Sequence, residues 1–316
     1  MHLINPLLGI WTATFLLSQT DPTVLWMSVA GVICFLIGIV AAGSGIARAR
    51  GLDKTVALAN LCFAVPLAAF GAEHFTSAKF IAELVPKYMP GHLFWTYFVG
   101  VGLLAASLSI ATKIQARWAG LCFGIMMFLF VAMMDLPGTL KNIHNRIIWA
   151  LLCREMSFGA GGWMIAAAAM DQRGQGRKTL VTIGGLIIGI AAMFYGVEHF
   201  LHPTNVPGVP LEKFMPVWIP ARVVISDLTG AILLIAGAMM LIGNKKRVAA
   251  TFLGSWILLV VVFVYGPILI ASLLDPNIGT KIEGLNYFFD TLLYAGTILA
   301  LADAALGLIE SSLQRC

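Results

Sequence analysis

The sequence predicts an all-α, polytopic membrane bundle of about nine transmembrane helices: a leading helix followed by two parallel four-helix repeats. Three observations carry this. Hydrophobic residues are 59% of the chain and charged residues 11%, with a mean hydropathy of +0.91, whereas soluble domains carry about 25% charged residues. Nine apolar runs reach the roughly 20 residues needed to cross a hydrocarbon core. A motif also recurs: Phe70-Gly71-Ala72-Glu73-His74-Phe75 returns as Tyr195-Gly196-Val197-Glu198-His199-Phe200, followed by Lys87-Tyr88-Met89-Pro90 and Lys213-Phe214-Met215-Pro216 respectively. The offset is 125 from His74 to His199 and 126 from Pro90 to Pro216, and a register held through a loop marks an internal duplication.

The elements follow in order. Leu3 to Leu17 is apolar but short, has no Lys or Arg before it, and ends at Ser18-Gln19-Thr20-Asp21-Pro22. It reads as an interfacial or partly inserted segment rather than a signal peptide, and if it spans, the count becomes ten. The run 24–46 is the leading helix of an N-terminal segment, 1–54. The first unit, 55–172, has spans at 55–74, 93–112, 117–135 and 147–170. Asp171-Gln172-Arg173-Gly174-Gln175-Gly176-Arg177-Lys178 is the polar linker to the second unit, 178–310, with spans at 179–199, 222–243, 248–273 and 286–308. Arg117 with Gly124 matches Arg247 with Gly254, and Asn145 and Asn286 each open the last helix of a unit. Asp135-Leu136-Pro137 and Asp275-Pro276 read as helix stops, and Tyr265-Gly266-Pro267 as a kink or an end. Gly120-x-x-x-Gly124 and Gly185-x-x-x-Gly189 permit close helix contact.

Four helices per unit bring both copies into the membrane in the same sense. Arg48, Arg50 and Lys54, then Lys113 and Arg117, then Arg173, Arg177 and Lys178, then Lys245, Lys246 and Arg247 occupy alternate connections. The positive-inside rule assigns these to the cytoplasm of an inner (plasma) membrane, with the N-terminus extracytoplasmic and the C-terminus cytoplasmic. The net charge of +5 belongs mostly to those loops. It points to a lipid bilayer as partner and gives no support for nucleic acid.

Four-helix units with a Gly-x-Glu-His-Phe-like element at the outer end of the first helix and a Met-Pro signature before the second resemble the DoxX and DoxX-like membrane proteins. The resemblance covers residues 55–172 and 178–310. It implies small helical bundles from a superfamily that includes a quinone-linked thiosulfate oxidoreductase subunit and other redox-associated or assembly-associated membrane proteins. Most such proteins carry one unit, so the tandem pair with an added helix is a departure.

Under this topology His74, His92, His144, His199 and His202 lie at the outer face, and Glu73, Glu198, Arg154, Glu155, Arg222, Asp227 and Asp290 lie in the outer halves of their helices, Asp303 being the exception. A charge at the bilayer centre costs at least about 2.5 to 3.5 kcal/mol, so such groups pair or face a wet cavity. A polar chamber open to the outer side is the expectation, with Arg154, Glu155, Asp227 and Asp290 as its cofactor-binding walls. Three readings compete for it. In the first, Glu73, His74, Glu198 and His199 take protons from a quinol or bind its headgroup, because imidazole titrates near neutrality, with Phe75, Phe200, Trp95 and Tyr195 packing the ring. In the second, His92, His202 and Met89 join the Glu-His pairs around a metal ion, although adjacent Glu and His diverge by about 100° on a helix. In the third, Glu-His simply ends a helix at headgroup level. Trp26, Trp95, Trp118, Trp149 and Trp218 fit an aromatic belt.

The scattered Cys34, Cys62, Cys122, Cys153 and Cys316 offer no outer dithiol, which excludes disulfide exchange. No dinucleotide or phosphate-binding loop is present. The function expected is thus membrane-embedded, redox-associated and quinone-linked. A carrier or channel for a small solute is one alternative. A noncatalytic subunit bound to other membrane or periplasmic chains is the other.

Overall fold

The computed structural model describes residues 20–171, 174–242 and 245–306. Among these, nine long helices alternate in direction: α1 (Pro22–Arg48), α2 (Ala59–Thr76), α3 (His92–Thr112), α4 (Ala116–Lys141), α5 (Arg146–Ala168), α6 (Gln175–Leu201), α7 (Arg222–Ile242), α8 (Lys246–Leu274) and α9 (Ile278–Ala304). All but α5 are long and apolar enough by themselves to cross a membrane, α2 counting the helical turn from Asp53 that leads into it. The chain is an all-α polytopic membrane bundle. The Leu3–Leu17 reading falls outside the described residues.

Side chains set the helix starts. Asp21 caps α1, accepting from Thr23 N–H at 2.8 Å, with Pro22 at the first helical position. Asn145 caps α5 through Ile147 N–H at 3.0 Å. In the second repeat that role belongs to Asn277, which accepts from Gly279 N–H at 2.8 Å, so α9 starts at Ile278 and not at 286. Asn286 lies two turns inside α9, where Lys281 and Glu283 had masked the helix behind a polar stretch.

A second difference concerns proline. Asp135-Leu136-Pro137 does not end its helix: α4 continues to Lys141 through a π-helical turn at Val131–Asp135, and α8 passes an equivalent turn at Val261–Tyr265 before Pro267. Proline lacks an N–H and its ring crowds the carbonyl four residues earlier, and a widened turn accommodates both defects. Asp275 does terminate α8.

The helix ends sort into two faces. Thr23 meets Ser77 at 3.1 Å and Lys213 meets Glu283 at 2.6 Å at the end carrying the repeated motif. Arg247 meets Asp53 at 2.6 Å, and Arg177 donates to the Ala304 carbonyl at 2.8 Å, at the opposite, basic end.

The centre is built from α2, α5, α6 and α9, with α3, α4, α7 and α8 packed outside α2, α5, α6 and α9 respectively, and α1 against α2 and α3. The pairing crosses the repeats: α2, first helix of repeat one, packs on α9, last helix of repeat two, and α6 packs on α5 in the same way. Burial follows, at 78% of the apolar window in α9 and 67% in α2 against 28% in α1, α3, α4 and α8. Glycines set the closest approaches. A Cβ at Gly296 would stand 2.6 Å from Phe63 N, and one at Gly162 would stand 2.8 Å from the Gly120 carbonyl oxygen. Of the two small-residue spacings, Gly120 and Gly124 both press on α5, whereas Gly189 meets Leu241 of α7 and Gly185 is in ordinary contact with Leu301.

Candidate functional site

The motif copies form the last turns of α2 and α6, and each residue in them has a defined task. Gly71 and Gly196 admit Leu104 of α3 and Leu234 of α7, while a Cβ on Gly100 or Gly230 would sit 2.9 Å from Cβ of His74 or His199. The histidines bond back one turn: Nδ1 of His74 lies 2.7 Å from the Phe70 carbonyl and Nδ1 of His199 lies 2.6 Å from the Tyr195 carbonyl. In the second copy Gly208 N–H donates to Nε2 of His199 at 3.1 Å. Nε2 therefore accepts, the proton sits on Nδ1, and the fully buried His199 is held as a neutral imidazole.

The glutamates point elsewhere, as the turn of about 100° per residue requires. Each reaches the last helix of the other repeat: Glu73 accepts from Asn286 at 3.1 Å, and Glu198 accepts from Arg146 at 3.1 Å with His202 at 3.7 Å. One turn beyond Asn286, Asp290 is buried and bonds Arg154 at 2.6 Å, and Arg154 also holds Glu155 at 2.7 Å. Glu73, Asn286, Asp290, Arg154 and Glu155 thus form a polar seam where α2, α5 and α9 meet. The Tyr195 hydroxyl donates to the Ala150 carbonyl at 2.6 Å beside it. Further along α9, the buried Tyr294 hydroxyl and Thr297 Oγ1 have no hydrogen-bond partner among the described residues.

The expected opening above the seam is filled by the connection between α6 and α7, whose residues 205–211 are buried. Its carbonyls are tied down: Thr291 donates to Val209 O at 3.2 Å, Arg146 to Leu211 O at 3.3 Å, and Asn205 to Leu211 O at 2.9 Å. Gly208 has φ +129°, and a Cβ there would lie 2.8 Å from Thr291 Cγ2, so the loop fits only with glycine at this point. At the rim, Tyr287 donates to Glu212 at 2.6 Å. The Glu283 carboxylate beside Lys213 raises that amine above its ordinary value, chiefly through their hydrogen bond.

Sequence reasoning located the Glu-His pairs, Arg154, Glu155 and Asp290 in one region. It missed Arg146 and the role of Asn286, whose signal was only a polar residue inside an apolar run. Asp227 is half-buried on α7, with no ion pair or hydrogen bond to the seam among the described residues. The proposed metal set is dispersed: Met89 lies in the loop before α3, His92 opens α3, and His202 follows α6. Among the described residues no three His, Cys, Asp or Glu side chains are grouped to hold a metal ion.

Fold and interior define the class: a multi-pass membrane protein whose two repeats share a buried ionic seam. No protein-family model matches the chain, and neither a curated protein nor a solved structure matches it. The DoxX-like resemblance accordingly rests on the repeated motifs alone.

Proposed function

We propose that this is a DoxX-like protein of the inner membrane that handles protons in support of quinone-linked redox chemistry, with the motif end extracytoplasmic. One observation carries the reading: Glu155 and Asp290 share the single guanidinium of Arg154, and Glu73, bonded to Asn286 one turn along α9 from Asp290, makes no ion pair among the described residues. In a medium where an uncompensated charge is costly, the surplus carboxylate is neutralised by binding a proton, and losing or gaining that proton is the chemistry the seam can perform. His199, fixed and neutral, orients the covering loop, and it is the carboxylates that carry the proton. The basic loops at the other end support the orientation.

The test uses the full chain purified in mild detergent. Bound quinone is extracted and quantified, and proton release during oxidation of an added short-chain quinol, with ferricyanide as the electron acceptor, is followed with a pH dye against a protein-free control, for wild type and Glu73→Gln/Asp290→Asn. Quinone in the wild type, with proton release lost in the variant, supports the reading. Absence of quinone and of proton release from a well-folded wild type sinks it, and a partner chain retained by both proteins would make this a noncatalytic subunit.

A second reading is favoured by Asp290, Tyr294 and Thr297, which share one face of α9 and end in two buried, unpartnered hydroxyls. Such a stripe between parallel repeats suits a carrier of a small protonated solute. Solute counterflow in proteoliposomes that is abolished by Asp290→Asn would support it over the redox reading.

A further inference from the structure

Besides the partners of their motif glutamates and histidines, the two repeats differ in how the loop after the motif meets the third helix of its unit. In repeat two, the loop after the motif packs on α8 at its π-helical turn: Met215 and Ile219 are buried against Val260, Val264 and Tyr265. Lys213 of that loop is answered by Glu283 at 2.6 Å. In repeat one the matching surfaces stay apart. Leu84, Pro86, Lys87 and Tyr88 and the π-turn end of α4 line an open groove of about 510 Å³, with Met133, Met134 and Lys141 on its α4 side. The α4 residues match α8 at an offset of 130, so Gly138 stands where repeat two has Ile268. Lys87 matches Lys213, yet neither it nor Lys141 makes an ion pair among the described residues. Counting from the two helix caps, Glu283 corresponds to Leu151, which cannot answer a lysine.

The filled copy states the chemistry that the open copy lacks: aliphatic groups against the π-turn and one anion on the lysine. A single molecule carries both at the headgroup level of a bilayer. We propose that this groove holds one anionic phospholipid, its phosphate on Lys87 and Lys141 and an acyl chain along Met133 and Met134. Residues 1–19 contain no Asp or Glu, so they do not supply the missing anion.

The test is native mass spectrometry of the full chain released from nanodiscs of equal phosphatidylglycerol and phosphatidylcholine. One phosphatidylglycerol retained in preference to phosphatidylcholine is the expected wild-type result. Lys87→Gln/Lys141→Gln lowers that retention by about thirtyfold, the effect of two lysines at a membrane surface. Gly138→Ile copies the residue of repeat two into a site where a Cβ meets nothing within 4 Å, so it fills the groove without disturbing the helix, and it displaces the lipid with both lysines intact. Lys178→Gln/Lys245→Gln, at the basic end, leaves retention unchanged. Equal retention of the two lipids by the wild type overturns the proposal, as does phosphatidylglycerol that survives either groove variant.

Discussion

Arg154→Met separates the two ways in which a buried ionic seam can be read. The guanidinium makes one bond of 2.6 Å to Asp290 and bonds of 2.7 and 3.1 Å to Glu155, and its side chain is 20% exposed. Methionine keeps much of the volume and removes every donor, leaving two carboxylates facing each other in the interior. Removing one partner of a buried pair costs about 3 to 5 kcal/mol, because the remaining charge keeps its desolvation penalty. Asp290→Asn alone removes charge but leaves an amide that still accepts from Arg154, and it costs less. In Arg154→Met/Asp290→Asn one carboxylate is gone together with the cation, so the double variant recovers about 2 to 3 kcal/mol relative to the sum, the upper range for residues in direct contact. Unfolding in mixed micelles titrated with sodium dodecyl sulfate, followed by tryptophan fluorescence, gives the four free energies. Additivity within about 0.5 kcal/mol would show that Arg154 and Asp290 do not act as a pair, and the proposal of proton chemistry at the seam would fall with it.

Other consequences are testable in the same assay. Asn277→Ala and Asn145→Ala each remove a helix cap and cost about 1 kcal/mol, and a null result for Asn277 would return the start of α9 to residue 286. Gly296→Val places side-chain atoms against the Phe63 backbone, which has no rotamer to yield, so a loss of at least about 1 to 3 kcal/mol and poor recovery of monodisperse protein are expected. Gly102→Ala meets nothing within 4 Å and serves as the neutral control. The Lys213–Glu283 pair is roughly half exposed, so Glu283→Gln costs at most about 0.5 kcal/mol. Because the amine is raised in the folded state, that contribution is full below the ordinary lysine range and fades as pH climbs through the raised value. A difference between wild type and Glu283→Gln that grows with alkalinity would contradict this.

Much of the helix map was legible because hydrophobicity and length decide a span almost unaided, and the caps at Asp21 and Asn145 stand next to the runs they start. Where the reading slipped, a local signal competed with a tertiary one. Lys281 and Glu283 make the first turns of α9 look like a loop, and they are tolerated because Glu283 meets Lys213 at the rim. Pro137 looks like a stop, yet the π-helical turn before it carries the chain on. The sequence also holds no trace of the filling of the chamber, because the apolar Val206–Leu211 stretch is too short to be a span and reads as any loop would.

The deepest omission concerns partners. Glu73 finds Asn286 across 213 residues, and Glu198 finds Arg146 across 52, so periodicity within a unit reveals neither bond. Both bonds run between repeats, as do the contacts of α2 with α9 and of α5 with α6. Each unit thus lacks, within itself, the helix that satisfies its own motif glutamate, and in a lipid solvent an unsatisfied carboxylate cannot simply be hydrated. Duplication resolves this by letting each copy supply the other, and it also frees the copies to diverge. Repeat two answers its motif glutamate with the cation of Arg146, whereas repeat one answers with the neutral amide of Asn286. That difference leaves Glu73, among the described residues, as the motif carboxylate without an ion pair, and under the proposed function it is how a symmetric duplication would yield a single, asymmetric site for a proton.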